Sequence, residues 1–265
     1  MKLNRFKDGK KFAITLSYDD GNIADRRLIG IFNNYGLKAT FNLVSSRFDD
    51  GDVVTLKEVP ELYKGHEIAS HTLTHPHLER LPVSLQNYEV SEDRKNLEKL
   101  TGYIVRGFAY PYGSYSKETE SVLVANGLCY ARTTVAGSFF VPSNFMYWNS
   151  TCHHRDSEKY IEIFKEKQDH PWEYGSILYI WGHSYEFDRN NNWDLAERMS
   201  DSLAQFKDAW FCTNIELYDY VTAQRNLVFS SDTNSVMNNS CQDVWITGDS
   251  GDVIKLESGK TAKIR

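Results

Sequence analysis

Apolar and polar positions along this chain follow two periods in turn. Residues 12–17 form a short apolar run that predicts a buried strand. Residues 23–35 then set Leu28, Ile31, Phe32 and Tyr35 on one face of a helix. Further strands are predicted over 38–44, 67–70, 104–109, 128–132, 176–181 and 209–213. Helices are predicted over 84–100, 116–127, 157–167, 193–206 and 214–224, with Ser116 and Asn214 as caps and Gly102 and Gly127 as stops. Thr55-Leu-Lys-Glu58 reads as a capping box opening a short helix that Pro60 limits. Strand–helix alternation predicts an α/β fold with a parallel sheet, either a closed barrel or a doubly wound sheet. The pattern changes after residue 225. Short β-prone pieces at 227–229, 243–247, 252–256 and 261–264, punctuated by Gly248, Gly251 and Gly259, predict a small antiparallel appendage. The expected division is therefore 1–225 and 226–265.

Composition narrows the function classes. A formal net charge of -6 gives no electrostatic reason to expect nucleic acid or an anionic membrane as partner. No apolar run approaches the ~20 residues of a membrane span. The N-terminus shows no apolar core of a signal peptide, which predicts a cytoplasmic chain. Cys129, Cys152, Cys212 and Cys241 lie far apart, as suits free thiols in a reducing compartment. Six Trp and sixteen Tyr offer rings that stack on sugars, although core packing accounts for most of them.

Four polar clusters follow predicted strands, where α/β folds keep their active groups. Ser17-Tyr18-Asp19-Asp20-Gly21 sets two carboxylates side by side, and both stay charged only with a cation close by. Its plainer reading is a turn. His71-Thr72-Leu73-Thr74-His75 has two imidazoles four residues apart, which face one way in a helical turn and can grip a metal. Its plainer reading is a solvated loop. Tyr110-Pro111-Tyr112-Gly113 fixes a bend that can aim a backbone N–H at a substrate oxygen, or is simply a strand-to-helix turn. His183 closes an apolar strand, a good place for a general acid and equally for a core histidine.

In their order and placement these clusters resemble the polysaccharide deacetylase family, the NodB-homology or carbohydrate esterase family 4 enzymes. Ser-Tyr-Asp-Asp-Gly is similar to the family's Thr-Phe-Asp-Asp-Gly motif. Residues 71–75 are similar to its His-Ser/Thr-x-x-His motif, and 177–183 to its Leu-x-Ile-x-x-His motif. The resemblance covers about residues 12–225. It implies a distorted (β/α) barrel with fewer than eight strands. It also implies a divalent metal, usually zinc and sometimes cobalt or manganese, on Asp20, His71 and His75. Asp19 would be the general base, the Tyr112 N–H an oxyanion donor and His183 the general acid. The implied substrate is an acetylated carbohydrate, N- or O-linked, with a small oligosaccharide expected.

Two positions depart from the family. Its third motif carries Arg two residues before the proline, where this chain has Ala109. Arg106 stands at an odd offset on the strand and points to the other face, which leaves Arg132 on the next strand as the candidate replacement. The family's Asp-x-x-Asp-Trp motif is not recognisable. In its region stand Trp148, a candidate wall of an acetyl pocket, and His154, a candidate contact to substrate or neighbour of His183. Trp181 and Tyr185 flank the acid as candidate sugar-stacking rings. Two other functions share this pattern: a silent carbohydrate-binding protein on the same barrel, favoured by Ala109, and a metal-dependent amidase acting on a non-sugar amide.

Overall fold

A computed structural model describes residues 1–168 and 175–264. In chain order its first part comprises β1 (Phe12–Asp19), α1 (Asp25–Asn34), β2 (Thr40–Leu43), α2 (Val59–Leu62), β3 (Glu67–Ser70), α3 (Val83–Thr101), β4 (Gly107–Ala109), α4 (Lys117–Ala125), β5 (Tyr130–Arg132), β6 (Cys152–His153), α5 (Ser157–Gln168), β7 (Ser176–Gly182), α6 (Tyr185–Arg189), α7 (Trp193–Ala204), β8 (Ala209–Cys212) and α8 (Asn214–Arg225).

β1 is buried at every position, as a parallel strand covered on both faces is, and its polar Thr15, Ser17 and Asp19 alternate with apolar residues. One edge pairs with β7 from Phe12 to Tyr18. The other edge is shared: its first half pairs with β8 and its last three residues pair with β2. From β2 the sheet continues in parallel through β3 and β4 to β5. Segment 148–153 then joins β5 to β7. Trp148 N–H donates to Ala131 at 3.0 Å, Thr133 N–H donates to the Trp148 carbonyl at 3.0 Å, and β6 at the far end of the segment pairs with β7. The sheet therefore curls into a distorted (β/α) barrel.

The tail forms β9 (Val228–Phe229), β10 (Ser235–Met237), β11 (Val244–Thr247), β12 (Val253–Leu256) and β13 (Thr261–Lys263). They make two small antiparallel sheets, β9–β10–β13 and β11–β12. Val236, Val244, Ile246 and Leu256 share one apolar cluster with Ala13, Tyr179, Leu217 and Tyr220 of the barrel. No helix among the described residues is long and apolar enough to cross a membrane.

Two local expectations change. The box at Thr55 opens no helix: α2 starts at Val59, and the Glu58 carboxylate accepts from Thr55 Oγ1 at 3.1 Å while pairing with Arg26 at 3.0 Å. The cap of α8 is Thr213, whose hydroxyl accepts from Glu216 N–H while the Glu216 carboxylate accepts from Thr213 N–H. Asn214 is turned into the barrel, bonded to Thr15 and Tyr179. The short elements β6, β10 and α6 carry too few residues to declare a period.

Glu67 lies buried inside the barrel and accepts from Thr40 Oγ1 (2.8 Å), Tyr130 OH (2.7 Å) and Ile215 N–H (2.9 Å). Burial pushes its carboxyl up to about 7 despite these donors. Its pKa is raised in the folded state, so the neutral form's stability is fully present below the unfolded value near ~4.3 and is lost as pH rises through about 7. Between pH 5 and 8 the wild type should lose on the order of 3 kcal/mol relative to Glu67→Gln. Thermal melts of the two proteins across that range check this, and parallel curves would refute it.

Candidate active site

Asp19 and Asp20 end β1, and the chain turns between them. Asp19 is extended, whereas Asp20 takes a left-handed conformation with φ 77°. Both carboxylates face His71 Nε2, at 3.9 Å from Asp19 and 4.0 Å from Asp20, but their other neighbours differ. Asp19 is 2% exposed. It accepts from Asn42 Nδ2 at 2.7 Å and forms an ion pair with Arg132 Nη2. Arg132 comes from β5 and is fully buried, its guanidinium 4.3 Å from the centre of the Trp181 ring. Burial raises the Asp19 carboxyl, but Arg132, His71, His183 and the Asn42 bond together hold it below the usual range. Arg132 thus stands where Ala109 leaves the family's arginine missing. Arg106 points the other way and forks onto Asp219 at 2.8 and 2.6 Å.

Asp20, His71 and His75 each bring one ligand atom to within 4.8 Å of the others. His75 Nε2 lies 3.5 Å and His71 Nε2 4.0 Å from Asp20 Oδ1. Donors on one zinc ion lie about 3.4 Å apart in a tetrahedral sphere, so the set is near that spacing. Two further observations fit a metal. Asp20 Oδ1 is buried with no hydrogen-bond partner. The His71 ring meets the Ala109 carbonyl at 2.7 Å through Nδ1, which fixes that nitrogen as the N–H and leaves Nε2 bare. Burial lowers His71, and it lowers His75 to about 4, so both rings are neutral, the form that ligates.

The loop between them is not the expected helical turn. Thr72 and His75 have φ 68° and 63°, left-handed values that L residues rarely adopt. Helix α3 holds it there. The Glu89 side chain accepts from Thr74 N–H and Oγ1, each at 2.8 Å, and its carbonyl accepts from Leu73 N–H at 3.1 Å. Asp93, one turn on, accepts from Ser70 Oγ at 2.5 Å and Ser45 N–H at 2.8 Å.

His183 ends β7 opposite the aspartates, with Nε2 4.0 Å from Asp19 and 3.9 Å from Asp20. Its Nδ1 faces Glu186 Oε1 at 3.2 Å. Burial lowers His183, but Glu186, Asp19 and Asp20 outweigh it and raise the ring above its ordinary value. The Glu186 carboxylate also takes His153 Nε2 at 3.2 Å and His154 Nε2 at 3.0 Å. Sequence reasoning assigned no role to Glu186 or His153. The one available clue was the i, i+3 spacing of His183 and Glu186 on the turn after a strand.

Trp148 and His154 are both buried, and His154 neighbours His183 through the Glu186 carboxylate that the two share. Trp148 is 1% exposed and packs edge-on to Tyr130, Phe145 and Tyr179. His154 is equally buried, with its ring 4.3 Å from Phe187. It approaches β7 so closely that a Cβ on Gly182 would stand 2.1 Å from its Nδ1. Trp181 is half-buried against Arg132, and Tyr185 lies 5.1 Å from the His183 ring. Tyr112 has φ 58° and is 57% exposed, with its ring stacked 3.9 Å from His77 and edge-on to His75. Gly113 beside it, at φ 70°, has no room for a Cβ, which would meet Thr134 Oγ1 at 2.1 Å.

Residues 6–131 match the family model described as polysaccharide deacetylase. A chitooligosaccharide deacetylase of Azorhizobium caulinodans is 35% identical over 78 residues, 27% of this chain and 37% of that protein. The chain spans half or less of the length of the curated relatives it matches. Among solved structures, a polysaccharide deacetylase-like protein of Mycobacterium smegmatis superposes with TM-score 0.62 at 16% identity, covering 85% of this chain and 95% of the other. A family 4 acetyl xylan esterase of Clostridium thermocellum, solved with a cobalt ion, superposes with TM-score 0.55 at 17% identity, covering 78% and 90%. At these identities the likeness establishes the fold.

Removing the guanidinium leaves Asp19 buried and unpaired. Arg132→Met should lose about 3–5 kcal/mol of stability, much of it regained when Asp19→Asn is added. Urea unfolding of the single and double variants measures both terms. A single variant as stable as the wild type would mean that the pair does not hold this site together.

Proposed function

We propose, from this chain's place in the polysaccharide deacetylase family, that it hydrolyses acetyl groups from a carbohydrate, with one divalent metal ion on Asp20, His71 and His75. The observation that carries this reading is the division of labour between adjacent carboxylates. Asp19 is engaged by Arg132 and Asn42, whereas Asp20 turns a partnerless oxygen toward two neutral imidazoles. One carboxylate and two histidines suit zinc, with cobalt or manganese as substitutes. Bound there, the ion supplies Lewis acidity to the acetyl carbonyl and to the attacking water.

The chain's own groups supply the proton transfers. Asp19, held ionised, accepts the proton of the attacking water. The Tyr112 N–H, on the bend beside His75, donates to the oxyanion as the carbonyl becomes tetrahedral. His183, whose protonated form Glu186 and the aspartates favour, passes its proton from Nε2 to the departing nitrogen or oxygen. Both an amide and an ester pass through the same oxyanion, so the site accommodates either. An acetylated oligosaccharide is the substrate we assign, with Tyr112 and Tyr185 as rings at the open rim. Arg132 supplies Asp19 with a positive charge although position 109 is alanine, which supports the enzyme over a silent binder.

The test is acetate release from acetylated chito- and xylo-oligosaccharides by the metal-free protein and after addition of zinc or cobalt. Acetate should appear only with metal, and none from any substrate would overturn the proposal. Asp20→Ala should lose metal and activity together. Asp19→Asn should keep the metal and lose roughly 100-fold or more in kcat. Full turnover by Asp19→Asn would remove the base from the mechanism.

A further inference from the structure

Behind the acid, on the side away from Asp20, lies a second convergence of ligand atoms. His153 of β6, His183 at the end of β7 and Glu186 of α6 each offer one to within 4.8 Å of the others. His153 Nε2 to Glu186 Oε2 and His183 Nδ1 to Glu186 Oε1 are both 3.2 Å. Those separations match the ~3.4 Å between donors on a tetrahedral zinc ion, as closely as the 3.5 Å from His75 to Asp20 does. His154 Nε2, 3.0 Å from the same carboxylate, stands at its edge as an additional imidazole. The exposed Arg189 reaches Glu186 Oε1 at 3.5 Å and is the cation an ion would displace.

We propose that His153, His183 and Glu186 form a second divalent-metal site, and that an ion bound there silences the acid. The two sites would share one ring, since His183 turns Nε2 toward Asp19 and Asp20 and Nδ1 toward Glu186. Two imidazoles and one carboxylate make a zinc-type donor set, but His153 Nδ1 accepts from Arg155 N–H at 3.3 Å, so the proton on His153 Nε2 must leave that nitrogen as an ion enters. The second site binds more weakly than the first. Glu186 already receives imidazole hydrogen bonds that an entering ion must displace, whereas Asp20 Oδ1 has none to lose. When His183 gives its Nδ1 lone pair to a metal, its remaining proton sits on Nε2 of a ring that can no longer be a free imidazolium. That ring is a poor donor to a leaving group. Low zinc should therefore activate and higher zinc inhibit. The inhibition rests on the role of His183 proposed above; the binding site does not.

Zinc titration of the metal-free protein by calorimetry, with metal content measured after dialysis against excess zinc, separates the two sites. The wild type should take up two equivalents. His153→Gln should take up one, and should escape the inhibition at high zinc. Asp20→Ala should also take up one, now the weaker; His75→Ala replaces it if circular dichroism shows misfolding. Glu186→Gln, read by binding alone, should lose the same equivalent as His153→Gln. Equal uptake by the wild type, His153→Gln and Glu186→Gln would overturn the second site. Undiminished uptake by Asp20→Ala and His75→Ala would instead overturn the first site and the function built on it, leaving the His153 result to stand by itself.

Discussion

Two carboxylates on consecutive residues repel, and burial makes that repulsion worse because little water is left to screen it. The barrel mouth is organised around relieving it. β1 delivers Asp19 and Asp20 together, with a left-handed step at Asp20. Each then meets a different remedy. Asp19 receives a buried guanidinium from a strand far along the chain, and Asp20 receives neutral imidazoles with bare ring nitrogens. A fixed positive charge keeps one oxygen ionised and available for a proton. An unshared lone pair beside neutral rings leaves the other free to meet a cation. The chemical difference between two identical side chains thus comes entirely from their neighbours.

Holding those neighbours in place requires unfavourable backbone. Asp20, Thr72, His75 and Tyr112 all have positive φ, a conformation that costs on the order of 1–3 kcal/mol per residue outside glycine. The surrounding structure over-determines them. Glu89 and Asp93, one turn apart on α3, grip the segment from Ser70 to Thr74 through side chains and main chain. Gly113 lets the Tyr112 bend press against Thr134, and Gly182 lets His154 approach β7. Asp8, Asp49, Asn191 and Thr233 also have positive φ, so the site holds half of the eight such non-glycine residues among those described.

Much of this was legible before any coordinates. Residues 176–181 show their strand because a parallel strand buried on both faces is apolar along most of its length. Asp19, Asp20, His71, His75 and His183 stand out because polar residues directly after such runs sit at the carboxyl ends of the sheet. Even Arg132 could be nominated, since its neighbour strand has an arginine at the wrong parity. Other features left no trace. Trp148 and His154 stand in a loop-like stretch, and only the closure of the barrel by that stretch shows them to be interior residues. Thr213 and Asn214 are both good caps by type, and the choice fell to Thr213 once Asn214 was needed inside by Thr15 and Tyr179.

Taken by itself, the sequence determined the alternation of strands and helices, the parallel character of the sheet and the residue types at its carboxyl edge. These are local properties, set by side-chain period and by which positions tolerate burial. Tertiary structure alone decided the partners: Arg132 on Asp19, Glu186 shared by three imidazoles, α3 gripping the histidine loop, and the tail joined to the barrel core. Each of those contacts joins residues from different elements. Barrel curvature and strand register bring them together, and neither is written in any short stretch of chain.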